Sequence, residues 1–408
     1  MIALSRCRWL GRAIYISSVL LLVGRVTSQD EAQDANHRRV LVFGGNGFLG
    51  SATVERLIET GNDVTVVNRG NLYWDVKERI FPKVRSIICD REQNFSSCSD
   101  LASFVDSVTL FDVVIDFSAS DNASIRDAAA LLHEKVGLYI LISTDSVYDV
   151  CAKLHKGRTL ETDAVRPEDP EERVMLAEHH YYGDRKLRAE EELLGQRQDG
   201  GFPFVIIRLP DVIGPRDNTH RFWIYQLWIK VSTLIDDKPV SIPKFLTDYD
   251  VSFVYVDDVA RAVEMLLTAG PQLKDHAINL AYPQTFRLGD VFNDVITELG
   301  VSAKLHVDES VAGNHFYLYP SVIRGPIDVT KAVNLLHWSP TPWREALAAT
   351  VAFHEAAPLD PRFTRQFDDV IQIMAQQMFR DRKTRFFEAL EQLYNVKLDH
   401  FKYPKDEL

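Results

Sequence analysis

The chain has 408 residues, 46% of them hydrophobic and 25% charged, the balance of an ordinary globular protein long enough for one large or two modest domains. Its 46 lysines and arginines against 58 aspartates and glutamates give a formal net charge of −12. A chain that acidic is a poor binder of phosphate backbones, so nucleic acid is set aside as a partner.

Residues 1–28 carry Arg6, Arg8, Arg12 and Arg25 and no acid, with an apolar stretch from Ala13 to Gly24 that is short for a bilayer span. This is the pattern of a secretory signal peptide, with Val26 and Ser28 small enough for cleavage before Gln29; a short uncleaved anchor is the alternative. Cleavage leaves 42 basic against 58 acidic residues, a charge of −16, and no stable membrane insertion. Of the four cysteines, Cys89, Cys98 and Cys151 then remain, so at least one is unpaired within a monomer. Cys89 and Cys98 could close a short loop. No CxxC or HxxxH spacing occurs, and no metal site is expected.

Arg39 to Gly61 reads RVLVFGGNGFLGSATVERLIETG, an apolar strand, a glycine-rich turn and a helical pattern. Val40 to Phe43 form the continuous apolar run of a parallel strand buried on both faces. Gly44, Gly47 and Gly50 follow at a spacing that lets the backbone approach a pyrophosphate and the helix pack close to the sheet. Further strands are expected at Val64–Val67, Val84–Ile88, Asp112–Phe117, Leu138–Ser143 and Pro203–Arg208, with helices at Asn122–Lys135 and Tyr182–Leu194. Such alternation predicts a doubly wound parallel sheet. Cys151–Glu178, charged and weakly periodic, reads as an inserted surface loop.

Strand two ends in Asn68-Arg69, where a dinucleotide fold meets the adenosine ribose. A neutral amide followed by an arginine suits a 2′-phosphate, which favours NADP and leaves NAD open. Asp90, after strand three, stands where an adenine amino group could be read. Tyr182 and Lys186, four apart, share one helix face. An ammonium beside the phenol would lower its pKa from about 10 and make Tyr182 a usable general base, with the Thr144 hydroxyl holding a substrate oxygen.

GGNGFLG, VIDFSAS, STDSVY, YGDRK, RLPDVIGP, FVYVDDVARA and DVTKAVNLLHWSPTPWREAL together resemble the extended short-chain dehydrogenase/reductases of the NAD-dependent epimerase/dehydratase family, over roughly Arg39 to His354. The resemblance implies that Gly44, Gly47 and Gly50, with Phe48 and Leu49 between them, hold the pyrophosphate, and Asp90 the adenine. It implies that Ser118 and Pro210 line the cofactor site, Pro210 beside the nicotinamide. Thr144, Tyr182 and Lys186 would be the catalytic trio, Lys186 also gripping the nicotinamide ribose. Several positions depart from the family pattern: Asp116 replaces a histidine, Asp149 a glycine, and Asp211 an asparagine near the substrate phosphate. A carboxylate at Asp211 would repel a diphosphate, and the glutamate of a dehydratase Thr-Asp-Glu set is replaced by Ser146.

From Pro210 the pattern loosens into a smaller lobe that returns a strand to the sheet near Ala277–Leu280. Beyond Pro361, Phe363, Phe367, Val370, Met374 and Met378, then Phe387, Leu390 and Tyr394, form an apolar helical stripe. It either packs on its own domain or serves as a dimerisation or partner helix. The chain ends in KDEL, residues 405–408, an endoplasmic-reticulum retention address read by the KDEL receptor. Asn94-Phe95-Ser96 and Asn122-Ala123-Ser124 are glycosylation sequons that matter in that lumen; a glycan on Asn122 would crowd the cofactor cleft.

The expected organisation is therefore α/β: a signal peptide over 1–28, a Rossmann domain over 29–209, a mixed substrate lobe over 210–356, a helical extension over 357–404, and the retention signal. The expected function is NADP(H)-dependent oxidation, reduction or epimerisation at an alcohol or carbonyl carbon of a small molecule in the endoplasmic-reticulum lumen, a sugar or sugar nucleotide included. The alternative is a dinucleotide-binding scaffold without chemistry. A homodimer is left open.

Overall fold

Val40 and Val42 of the first strand, β1 (Arg39–Phe43), pack on one side of a sheet and Leu41 and Phe43 on the other, and all four are buried. The continuous apolar run thus arises from two alternating faces that are both covered. A computed structural model of the protein describes residues 37–93, 95–235, 240–244, 250–268, 270–308, 325–376, 378, 380–398 and 401. The expected signal peptide, Asn94 and residues 405–408 lie outside them.

In chain order, β1 leads to α1 (Phe48–Glu59), β2 (Asp63–Asn68), β3 (Arg85–Ile88), α2 (Ser99–Ser107), β4 (Val113–Asp116) and α3 (Asn122–Leu131). There follow β5 (Tyr139–Thr144), α4 (Pro170–His179), α5 (Tyr181–Gln198) and β6 (Phe204–Leu209). The lobe contributes α6 (Arg221–Ile235), α7 (Val256–Leu266) and β7 (His276–Asn279). The sheet runs β7-β6-β5-β4-β1-β2-β3, every neighbouring pair parallel, with the order reversing between β1 and β4. Ligands of such sheets sit at the carboxyl ends of the strands beside that reversal.

The returning strand is where the sequence placed it: Ala277 pairs with Ile206 and Asn279 with Arg208. The inserted segment differs from its expected form, because its second half is the helix α4. Asp169 caps it by accepting from the Glu171 N–H, Pro170 stands at its first position, and Glu171 and Glu172 fill its first turn. No residue of α4 is buried, which is why its sequence carries no apolar period.

The C-terminal helices α8 (Trp343–Ala356), α9 (Thr364–Gln376) and α10 (Arg380–Tyr394) complete the lobe. Phe367, Val370, Met374, Leu390 and Tyr394 lie in one core with Trp223 and Ile224 of α6, so the apolar stripe is covered by the chain's own lobe. No described helix is long and apolar enough to cross a membrane.

Candidate active site

Two cavities meet at the glycine turn. The first, 510 Å³, is lined by Gly44, Gly47, Asn68, Arg69, Cys89, Arg91 and Ser118; the second, 410 Å³, by Gly44, Gly47 to Gly50, Thr144, Asp145, Tyr182, Pro210 and Asp211. Asn218 borders both, so they form one cleft along the carboxyl ends of the strands. Asp90 and Lys186 of the expected set do not line it, although each sits next to residues that do.

The turn fits a pyrophosphate. A β-carbon at Gly50 would lie 2.2 Å from the Gly44 carbonyl oxygen, so the helix approaches the turn as closely as it does only because Gly50 has none. At Gly47 the nearest atom would be 3.7 Å away, and the space beside it belongs to the cleft, where a side chain would displace a ligand. Gly47 opens α1 without a side-chain cap of its own, leaving amides at a helix N-terminus for an anion. One of them, Phe48 N–H, donates to Asn218 Oδ1 at 3.1 Å.

At the adenosine end, Asn68 is buried and committed to the turn: its Oδ1 accepts from Gly70 N–H at 2.8 Å and its Nδ2 reaches Ser86 Oγ at 3.4 Å. Arg69 is half exposed at the rim and pairs with Glu92 at 3.2 Å. Asp90 holds the next turn together by accepting from Glu92 N–H at 3.2 Å.

Asp116 is fully buried at the end of β4. Arg91 donates to both of its oxygens at 2.6 and 2.7 Å, the Tyr139 hydroxyl donates to it, and the amides of Ser118 and Ala119 do so at 2.9 and 2.8 Å. Burial alone would raise its pKa, but Arg91 and these donors outweigh it and hold Asp116 ionised below the usual carboxylate range. The replacement of the family's histidine by a buried acid demanded a nearby cation, and Arg91 directly after Asp90 supplies it; that demand was the signal in the sequence for Arg91, which pattern reading passed over.

At the other end, Gly183 lets α5 approach the turn after β5, since a β-carbon there would lie 2.1 Å from the Ser146 carbonyl. This brings Tyr182, 60% exposed to the cleft, to Thr144. Loss of hydration and the Asp145 carboxyl raise the Tyr182 pKa, while a hydrogen bond with Thr144 and the charge of Arg221 act the other way. Lys186 is buried one turn on, its Nζ donating to the carbonyls of Ala119 and Ile142 at 2.8 Å each. Its burial lowers its pKa to about 8, offset in part by the charges of Asp116 and Glu190. Lys186 therefore bridges the loop after β4 to β5, and the expectation that its ammonium lowers the Tyr182 pKa is not met: the groups acting on that phenol are Thr144, Asp145 and Arg221, and its pKa is raised, because Lys186 is turned to the carbonyls of Ala119 and Ile142.

The acids noted in the sequence have partners here. Asp211 pairs with Arg221, so its charge does not stand alone against a diphosphate, and burial raises its pKa. Asp145 is buried beside it; burial, then Asp211 and Asp149, push it well above the carboxylate range. Asn122 lines an outer groove with Arg188 and Glu191, while its neighbours Ala123 and Ser124 line the cofactor cavity. A glycan on Asn122 would start from the groove. No cluster of three or more metal-binding side chains occurs among the described residues.

The sequence profile of the NAD dependent epimerase/dehydratase family matches residues 40–281. The chain belongs to that family. It is an extended short-chain dehydrogenase/reductase, an NAD(P)-dependent class of enzyme. It is 23% identical over 345 residues to an uncharacterized UDP-glucose epimerase, YtcB, of Bacillus subtilis, covering 77% of this chain and 97% of that protein. The fold is shared with the UDP-glucose 4-epimerase of Thermotoga maritima crystallised with UDP-glucose, at TM-score 0.57 and 23% identity over 77% of this chain and 97% of that one. It is shared too with the UDP-glucuronic acid 4-epimerase of Bacillus cereus in complex with UDP-glucuronic acid and NAD, at TM-score 0.58 and 21% identity over 78% and 98%.

Proposed function

We propose that this protein is a luminal enzyme that interconverts the alcohol and carbonyl states of a sugar carbon, as an epimerase or oxidoreductase, with a sugar nucleotide as the substrate class. The observation that carries this reading is the shared cavity: Thr144 and Tyr182 face the same space as the Gly44–Gly50 turn and Pro210. A nicotinamide dinucleotide held by that turn supplies hydride acceptance and return at the substrate carbon. Tyr182 takes and gives back the hydroxyl proton, Thr144 fixes the oxygen that carries it, and Lys186 locks the strand ends against which the ribose would rest. The Arg221 partner of Asp211 removes the electrostatic objection to a diphosphate, and the relatives named for UDP-sugars support the class.

The NADP preference rests on Arg69. Its pair with Glu92 is exposed, and such pairs contribute about 0–1 kcal/mol, so Arg69 can exchange Glu92 for a 2′-phosphate at little cost. Residence in the endoplasmic-reticulum lumen, retrieval by the KDEL receptor and a glycan on Asn122 rest on the signal-like N-terminus, the C-terminal KDEL and the sequon; the Cys89–Cys98 disulfide suits an oxidising compartment. Thermal-shift titration of residues 29–408 with NAD, NADP and a panel of UDP-sugars tests the reading. Stabilisation by a dinucleotide and by one sugar nucleotide is expected; indifference to every dinucleotide contradicts it, whereas a shift with a dinucleotide and with no sugar nucleotide favours the non-catalytic dinucleotide-binding scaffold.

A further inference from the structure

The adenosine end of the cleft is built largely by one loop outside the regular sheet. Cys89 follows β3 and donates its N–H to the Asn68 carbonyl at 2.8 Å; Cys98 stands immediately before α2. A disulfide joins them across a separation of nine residues. Between them, Arg91, Glu92 and Phe95 line the cofactor cavity together with Cys89 itself.

Arg91 carries the loop inward. Besides its two bonds to Asp116 it donates to Ser118 Oγ at 3.0 Å and to the Ser124 carbonyl at 2.6 Å. Its guanidinium lies 5.0 Å from the centre of the Phe95 ring and 5.4 Å from that of Phe43, and Phe95 stacks on Phe43 at 4.9 Å. The loop is thus held from within by Arg91 and Phe95 and at its ends by the disulfide.

We propose that the Cys89–Cys98 disulfide is a redox-dependent clamp on the adenosine half of the dinucleotide, an inference that rests on the cleft taking such a cofactor. Oxidised, it holds Arg91, Glu92 and Phe95 as the wall of the site. Reduced, the loop keeps Arg91, the Cys89 N–H bond and the Phe95 stack but loses the covalent closure of its ends; the Cys98 end gains freedom, and ordering it again opposes binding. The reductant is a dithiol. Its thiolate attacks one cysteine sulfur, the Cys89–Cys98 bond breaks, and a mixed disulfide forms; the second reductant thiol then displaces the attached cysteine. Two electrons and two protons pass from the dithiol, leaving two cysteine thiols and an oxidised reductant. Cys151 cannot take part by exchange in the native fold, because it is buried in the core on one face of the sheet and Cys89 in that on the other.

The test titrates the full mature chain with NADH and NADPH, followed by nucleotide fluorescence, as purified and after dithiothreitol, with thiols counted by alkylation and mass. The affinity is expected to fall at least tenfold on reduction and equally in Cys98→Ser, with far-UV circular dichroism unchanged in the reduced protein. Where Cys98→Ser does not fold, native reduction gives the answer. Equal affinity in oxidised and reduced protein overturns the clamp, as does finding Cys89 and Cys98 as free thiols in active protein. Failure of the oxidised protein to bind either dinucleotide overturns the functional reading, and the clamp with it.

Discussion

Arg216, in the loop after β6, grips Asp75, in the loop after β2, with hydrogen bonds of 2.8 and 3.0 Å. Asp75 is also held by Arg79 at 3.2 Å, and the Arg216 guanidinium lies 5.2 Å from the centre of the Phe353 ring. The two loops carry Tyr73 and Asn218, both of which line the cleft. The pair therefore ties the substrate lobe to the Rossmann sheet across the cofactor site. Arg216→Met removes the tie while Arg79 still neutralises Asp75. Its expected cost is about 1–3 kcal/mol, less than that of stripping a buried acid of all its partners, read as a urea midpoint shift together with a several-fold weaker dinucleotide affinity.

Beneath that tie lies His354, fully buried and stacked on Trp223 at 5.3 Å, with neither ring nitrogen hydrogen-bonded among the described residues. Burial, with His220 adding a smaller effect, lowers its pKa to about 3. A histidine forced neutral stabilises fully above its unfolded pKa of about 6.5, and that contribution is lost as pH falls from there toward the folded value. Wild-type stability is expected to drop by about 2 kcal/mol more than that of His354→Phe between pH 6.5 and 5, at about 1.4 kcal/mol per unit. Urea melts at the two pH values check this, and parallel losses in both proteins contradict it.

Glu190 lies one turn beyond Lys186 and joins Arg208 at 2.6 Å and the Ser143 hydroxyl, all of them buried. Its charge raises the Lys186 pKa against the burial that sets it near 8. If the protonated lysine is the working form, activity falls as pH rises through about 8. Glu190→Gln is then expected to move that limb to lower pH, whereas Glu190→Asp, which keeps the charge, leaves it closer to wild type. A pH–rate profile of the three proteins distinguishes this from a merely structural loss, which would lower rates without moving the limb.

The proposed preference for NADP rests on Arg69. Arg69→Ala is expected to weaken NADP binding about tenfold and leave NAD unchanged, since a lost charge-assisted contact contributes about 1.5–3 kcal/mol in favourable cases and this site is exposed. Equal effects on both dinucleotides in the same titration would assign the residue to the rim alone.

How far these features could be read from the sequence follows from how local their causes are. The central strands β1, β4, β5 and β6 were legible because they are buried on both faces and their apolar runs are nearly unbroken, whereas β3 at the sheet edge buries only Ile87. The glycine turn was legible because close approach leaves a residue-type signature at Gly50, and Tyr182 was read from its spacing to Lys186, while the close approach at Gly183 that brings this helix to the turn after β5 shows only in the structure. Helix α4 was not, since a helix with no buried residue has no period to read. The direction of Lys186 was not either: spacing puts it on the same helical face as Tyr182, but the carbonyls of Ala119 and Ile142 that receive it come from the loop after β4 and from β5. Asp211 was read as an uncompensated charge because Arg221, ten residues on, meets it only after the chain turns into α6.

In the proposed mechanism Tyr182 exchanges the proton of a substrate hydroxyl beside a dinucleotide held by the glycine turn. The direct measurement mixes dinucleotide-loaded protein with each of a panel of UDP-sugars and follows reduced-nicotinamide absorbance and product configuration, for wild type and for Tyr182→Phe matched in fold and cofactor content. One sugar nucleotide is expected to turn over in the wild type, with a loss of about 10²–10⁴-fold in Tyr182→Phe. Turnover of that substrate by Tyr182→Phe at the wild-type rate would contradict the claim.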